Sequence, residues 1–135
     1  MKEISFKSYY GLTLTNINWQ DSKGKHPIFI FGDEACIMVE CSWRLLKQKK
    51  FIHVGQGDFS LYHDNPESGK RLEQVIGGVI VEITYELPPF DIKINFGNEY
   101  TLDIVADSSQ FENWQFIDHS GKRDEFISFA GGGKE

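Results

Sequence analysis

The chain contains four short blocks that occur twice in the same order. The first copy lies within residues 11–57 and the second within residues 77–133. Corresponding blocks are separated by 66, 65, 71 and 75 residues. The offset is nearly constant for the first two blocks and larger for the last two. This is typical of two copies with the same strands, in which the connecting loops of the second copy are longer. We therefore predict a four-strand unit used twice within one domain, residues 1–135, with pseudo-two-fold symmetry between the halves.

The blocks share turn and aromatic residues at matching positions. Phe31-Gly32-Asp33-Glu34 corresponds to Phe96-Gly97-Asn98-Glu99, and Trp43 corresponds to Trp114. Glycine, aspartate and asparagine tolerate the positive φ that tight hairpins need. Each unit is therefore predicted to contain a central hairpin. The two equivalent tryptophans are expected in the core, and the alternative is that they are exposed aromatic anchors at an interface.

Apolar residues repeat with the period of a β-strand over most of the chain. Ile92, Ile94 and Phe96 alternate with polar residues, which indicates a strand with one buried face. Every residue of 28–31 is apolar, which predicts burial on both faces. The strand after the first turn is predicted to run from 35 to 46 without a break.

One segment has the pattern of a helix. Pro66 follows capping residues, and Leu72, Val75 and Ile76 share a helical face before Gly77. We predict a short helix near residues 66–76 that bridges the repeats. The fold class is therefore mainly β, with two antiparallel β-meanders forming a sandwich or a barrel.

Charge and cysteine content restrict the classes of function. The net charge is −6, and it divides into +1 over residues 1–64 and −7 over residues 65–135. An acidic half disfavours nucleic acid and suits a basic protein partner. No apolar run has the length of a membrane span, and residues 1–10 lack the pattern of a signal peptide, so a cytoplasmic protein is expected. Cys36 and Cys41 are then expected to be reduced thiols.

Acidic side chains of the second half are the candidate partner-binding residues. They are Glu82, Glu86, Glu99, Asp103 and Asp107. Arg44 lies inside an apolar segment, and we predict that it pairs with a carboxylate on a neighbouring strand. A sheet edge left unpaired would allow homodimerisation.

An enzyme is the alternative, and it would use the densest polar cluster of the chain. His53, Asp58, His63 and Asp64 are the residue types that ligate a divalent metal. Nothing in the sequence requires them to converge, because His53 lies in a predicted strand and His63 in a loop. No nucleophile motif surrounds either cysteine, and no glycine-rich segment has the form of a phosphate loop, so no cofactor is predicted.

Several motifs together resemble a known family. Cys41-Ser42-Trp43-Arg44-Leu45 follows a Gly-Asp hairpin, Gly55-Gln56-Gly57-Asp58 follows that, and Phe96-Gly97-Asn98-Glu99 precedes a later tryptophan and a triple glycine. This pattern resembles small, uncharacterised bacterial two-repeat β proteins that are similar to immunity proteins of interbacterial toxin systems. The resemblance implies a non-enzymatic protein that binds a cognate toxin and occludes its active site. It supplies no catalytic residues, and a structural subunit of a homo-oligomer is a further alternative.

Overall fold

The described part of the chain forms ten strands, one α-helix and two short 3₁₀ turns. The computed structural model describes residues 5–20, 26–59, 66–86, 90–107 and 112–120, and the course of the strand 126–130. The strands are β1 Asn16–Trp19, β2 Pro27–Phe31, β3 Ala35–Val39, β4 Ser42–Lys47, β5 Phe51–Gly55, β6 Ile80–Glu86, β7 Asp91–Phe96, β8 Tyr100–Val105, β9 Glu112–Asp118 and β10 Phe126–Ala130. The helix α1 is Pro66–Glu73, and it lies between β5 and β6.

The strands form two antiparallel sheets of five strands each. Sheet A has the order β1-β2-β3-β9-β10, and sheet B has the order β6-β7-β8-β4-β5. The mainly β prediction is confirmed, and of its two alternatives the sandwich is the correct one. The predicted central hairpins are β2–β3 and β7–β8.

Each half of the chain contributes to both sheets. The meander β1–β2–β3 continues into β9 and β10, and the meander β6–β7–β8 continues into β4 and β5. Exchanging β1–β5 with β6–β10 therefore leaves the topology unchanged. Each half supplies three strands to one sheet and a hairpin to the other.

The pairing registers follow the offsets of the sequence blocks. Asn16 is opposite Ile30, and the residues 66 and 65 positions later, Glu82 and Asn95, are also opposite each other. The same holds between the halves, because Trp43 lies opposite Ile104 and Trp114 lies opposite Val39. Duplication of one ancestral unit stays a prediction about the history of the chain.

The two halves meet in a short paired segment that has the same symmetry. The amide of Gly11 donates to the carbonyl of Ile80 at 2.8 Å, and the amide of Gly77 donates to that of Leu14 at 2.8 Å. Both glycines have a left-handed backbone, with φ of 93° and 97°, which residues with a side chain rarely adopt. Glycine at both positions lets the chain turn from a helical segment into the paired one.

The correspondence extends upstream of the predicted repeats. Phe6 precedes the 3₁₀ turn Lys7–Tyr9 and Tyr9 ends it, and 66 positions later the equivalent residues are Leu72, within α1, and Val75, in the turn after it. All four side chains are buried. Sequence comparison missed this part of the repeat because aromatic residues in one copy stand where aliphatic residues stand in the other.

The helix is shorter than the sequence pattern predicts. The α-helix ends at Glu73, three residues before the predicted end, and the chain continues in turns to Gly77. Leu72 and Val75 are buried, but Ile76, which was predicted to share their face, is 37% exposed. The turn after Glu73 rotates Ile76 off the face that a continuous helix would give it.

The predicted strand from 35 to 46 is wrong. The chain leaves sheet A after Val39, and β4 begins at Ser42 in sheet B. Glu40 and Cys41 form the corner. The predicted four-strand unit is consequently a five-strand unit in each half.

Candidate protein-binding surfaces

The five predicted binding carboxylates do not form one surface. Glu82 and Glu86 are exposed on β6, Glu99 is exposed in the turn before β8, and Asp107 is exposed after β8. Asp103 differs from them, because it is only 2% exposed. The structure therefore divides the set into two separated pairs and one buried residue.

Asp103 forms an ion pair with another residue of the same chain, on the face of sheet B that points away from the core. It lies directly opposite Arg44, whose Nε is 2.8 Å from its Oδ2. The Arg44 side chain is 47% exposed and the Asp103 side chain 3%. The predicted cross-strand partner of Arg44 is thus confirmed. The assignment of Asp103 to a partner-binding surface does not fit this geometry, because burial and Arg44 occupy its carboxylate.

Glu86 and Asp107 lie at one end of sheet B with two further carboxylates, Glu40 and Asp91. We call these four residues the carboxylate end. Glu86 is directly opposite Asp91 across the β6–β7 pair, so two like charges face each other. Glu40 is exposed at the corner between the sheets, and Asp91 is partly buried. Sequence reasoning missed these two because their proximity to the others depends on which strands pair.

Neutral donors hold two members of the carboxylate end in place. The amide of Ala106 donates to Asp91 Oδ1 at 2.8 Å, and the Ser42 hydroxyl donates to Asp107 Oδ2. Within the part of the chain that the structure describes, none of the four carboxylates forms an ion pair. Their negative charge is therefore not cancelled by a described cation.

The Cys41 thiol lies within the field of these carboxylates. Burial raises the pKa of Cys41, and the charges of Asp107, Asp91 and Glu40 raise it further. Burial also raises the pKa of Cys36, whose Sγ lies 3.2 Å from His119 Nε2. Both residues are free thiols, and the raised pKa values oppose the thiolate form that nucleophilic chemistry requires.

We expect both thiols to resist iodoacetamide in the native protein near pH 8 and to react once the chain is denatured. Cys36 and Cys41 are 8% and 2% exposed, and their raised pKa values keep them protonated. In the unfolded chain both thiols ionise near their ordinary pKa, whereas in the native protein the raised pKa keeps them protonated. The free energy of unfolding should therefore fall as the pH rises above about 9. Mass spectrometry of time-quenched samples measures the labelling. Rapid modification of native Cys41 would contradict this expectation.

The predicted metal cluster is only partly within the described residues. His53 Nε2 is 2.8 Å from Gln74 Oε1, and Asp58 Oδ2 accepts the Gly55 amide at 2.8 Å. His63 and Asp64 lie outside the described residues. Among the residues that the structure does describe, no group of three or more His, Cys, Asp or Glu side chains is placed to hold a metal ion.

Glu82 and Glu99 line an open pocket at the opposite end of sheet B. It has a volume of about 370 Å³, and Gln48 and Lys49 of the β4–β5 turn form part of its wall. Gln48, Lys49 and Glu99 all have positive φ, of 56°, 59° and 76°. Gln48 secures the wall, because its amide donates to the Glu99 carbonyl at 2.9 Å and its side chain donates to Glu99 Oε1 at 3.2 Å. These two hydrogen bonds stabilise the left-handed backbone of the turn, so a bound ligand is not needed to explain it.

Comparison with known proteins gives no relative from which a function could be transferred. No protein-family model, no curated protein and no solved structure matches the chain. Among the helices that the described residues form, none is long and apolar enough to cross a membrane.

Proposed function

We propose that this chain is a non-enzymatic protein-binding protein of the immunity type, and that the carboxylate end meets a basic partner. The observation that carries the proposal is the grouping of Glu40, Glu86, Asp91 and Asp107 with no described cation to neutralise them. The sequence resemblance to immunity-like proteins and the net charge of −6 support the same conclusion.

The carboxylate end suits a partner that must be found quickly and selected by charge. Clustered charges of one sign raise the association rate of an oppositely charged protein and repel partners of the same sign. Asp91 and Asp107 are held by hydrogen bonds, so part of the cluster is fixed before binding. Glu40 and Glu86 are exposed and free to adjust to the partner's lysines and arginines. A toxin domain with a basic active site is a partner of this chemistry.

The test is capture of the partner from a lysate of the source cells, followed by measurement of its affinity for matched variants. Glu40→Gln with Glu86→Gln removes two charges from the carboxylate end. We expect this double variant to bind the captured basic protein about tenfold more weakly, since each such charge contributes on the order of 0.5–1 kcal/mol. Binding of the natural sequence should also weaken as salt rises from about 50 to about 300 mM.

Glu82→Gln with Glu99→Gln is the control, because it removes the same charge from the opposite end of sheet B. The control should bind within about twofold of the natural sequence. Equal weakening in both double variants would assign the effect to net charge alone. Failure to capture a basic protein, or binding that neither variant changes, would contradict the proposal.

A further inference from the structure

The hairpin that joins β4 and β5 ends in a segment that is both basic and apolar, residues 47–52, which we call the basic tip. Its charged and apolar residues are Lys47, Lys49, Lys50, Phe51 and Ile52. Phe51 and Ile52 are 63% and 61% exposed, more than any other large apolar residue in the part of the chain that the structure describes. Residues 41–57 contain four basic residues and no acidic one. The tip therefore differs in charge from the rest of this acidic protein.

The turn of the basic tip has a lysine at a position where glycine would be more stable. Gln48 and Lys49 both have a left-handed backbone, with φ of 56° and 59°. The Lys50 amide donates to the Lys47 carbonyl at 3.2 Å, which closes a two-residue turn. Asparagine and glycine are the usual residues of such a turn, because other residues rarely adopt positive φ. Local stability therefore does not explain Lys49, whereas a role for its charge does.

Phe51 and Ile52 point to opposite faces of the hairpin, because adjacent residues of a strand alternate between faces. Ile52 lies opposite Leu46, and Phe51 lies opposite Lys47. The apolar surface therefore surrounds the end of the hairpin and does not form one flat patch. A protein surface would cover one of these faces, whereas the interfacial layer of a bilayer surrounds a segment that enters it. Nucleic acid fits less well, because Ile52 has no ring to stack on a base.

We propose that the basic tip docks this protein on the surface of an anionic lipid bilayer. Phe51 and Ile52 enter the interfacial layer, and the lysines lie beside the acidic headgroups. Charge complementarity identifies the anionic surface, since each lysine near such a surface strengthens binding about fivefold. Burial of the two apolar side chains supplies the second contribution. Both contributions are needed, because Glu82 and Glu99 line the pocket beside the tip and reduce its local charge.

The net charge of −6 does not prevent this docking, because opposite charges are separated along sheet B. Strand β4 runs from Ser42, whose hydroxyl donates to Asp107 of the carboxylate end, to Lys47 of the basic tip. Its six residues span roughly 17 Å, about two Debye lengths at physiological ionic strength. The charge of the tip therefore dominates at the bilayer. The carboxylate end faces away from the bilayer and stays free for a basic protein.

Co-sedimentation of the full chain with lipid vesicles tests the proposal. We expect binding to vesicles that contain about 30% phosphatidylserine in phosphatidylcholine, and binding about tenfold weaker or less to phosphatidylcholine alone. Phe51→Ser with Ile52→Ser should weaken binding to the mixed vesicles about tenfold or more. Lys49→Gly should weaken it about fivefold. The melting temperature of Lys49→Gly should stay the same or rise, because glycine accepts the positive φ of this turn.

Two controls separate the charge of the tip from other effects. Gln48→Gly changes the same turn without removing a charge. Lys7→Gln removes one charge from an exposed residue beside β6, at the opposite edge of sheet B from β5. Both should bind the mixed vesicles within about twofold of the natural sequence.

Absence of binding to the mixed vesicles would overturn the proposal. So would binding that Phe51→Ser with Ile52→Ser leaves unchanged, since the apolar residues would then not enter the bilayer. Equal weakening by Lys49→Gly and Lys7→Gln would overturn it as well, because net charge alone would explain the result. Tighter binding to heparin than to the mixed vesicles would overturn it in favour of an acidic macromolecule.

Discussion

Replacement of Trp114 by alanine is expected to lower the free energy of unfolding by about 4 kcal/mol. The side chain is 0% exposed, and its ring meets that of Phe90 edge to face with 4.7 Å between centroids. Its Nε1 donates to the Phe90 carbonyl at 3.0 Å. Alanine would leave a cavity between the sheets and remove a buried hydrogen bond, and rigid core packing allows only partial collapse.

Trp19→Ala is the matched control, because Trp19 belongs to an aromatic group but stays partly exposed. Trp19→Ala should lower the free energy of unfolding by about half as much as Trp114→Ala, or less. Urea denaturation followed by circular dichroism measures the free energy of unfolding of both variants. If the dependence of this free energy on urea concentration is unchanged, the substitution has altered only the stability. A loss below about 1 kcal/mol in Trp114→Ala would contradict the placement of Trp114 in the core.

Much of the fold could be predicted because the sequence blocks mark equivalent places in the two halves. Matching Trp43 with Trp114 placed both in the core, and the structure confirms this at 3% and 0% exposure. The hairpins were predictable from local turn chemistry. These features depend on residues close together in the chain, whose periodicity and turn preferences are visible without tertiary information.

The corner between the sheets could not be predicted from periodicity. Val39, Cys41, Trp43 and Leu45 are all buried and alternate without a break, although they belong to two different sheets and the bend between them. Alternation reports which side chains face the core. It does not report where the chain crosses the core, so residues 35–46 have the pattern of a single strand.

The candidate binding surface was only partly predictable for a related reason. Glu86 and Asp107 were identified from charge, but Asp91 joins them only because β6 pairs with β7. Asp103 was placed on the surface because an acidic residue in an alternating strand is usually exposed. Its burial depends on β4, a strand from the other half of the chain, lying beside β8. Pairing between distant strands is the information that a single sequence does not contain.

Replacement of Arg44 by glutamine is expected to cost about 2 kcal/mol, more than replacement of its partner Asp103. The variant would leave a carboxylate of 3% side-chain exposure without its guanidinium. Breaking a buried pair costs about 3–5 kcal/mol, and we reduce this because Arg44 is 47% exposed and Lys93 lies opposite Asp103 on the other side. Asp103→Met leaves only a half-exposed arginine that water can solvate, so its cost should be about 1 kcal/mol or less.

The double variant Arg44→Gln with Asp103→Met shows whether the ion pair itself or the packing of the two side chains determines the loss of stability. Sheet A has Gln115 opposite Met38 at the equivalent positions, so the fold already accommodates this combination. Because the double variant removes the buried charge together with its partner, it should be more stable than Arg44→Gln by about 1 kcal/mol or more. Urea denaturation of the four proteins in this cycle gives the coupling energy. Additive losses would mean that Asp103 tolerates burial without Arg44, and the ion pair would then contribute little to the stability of sheet B.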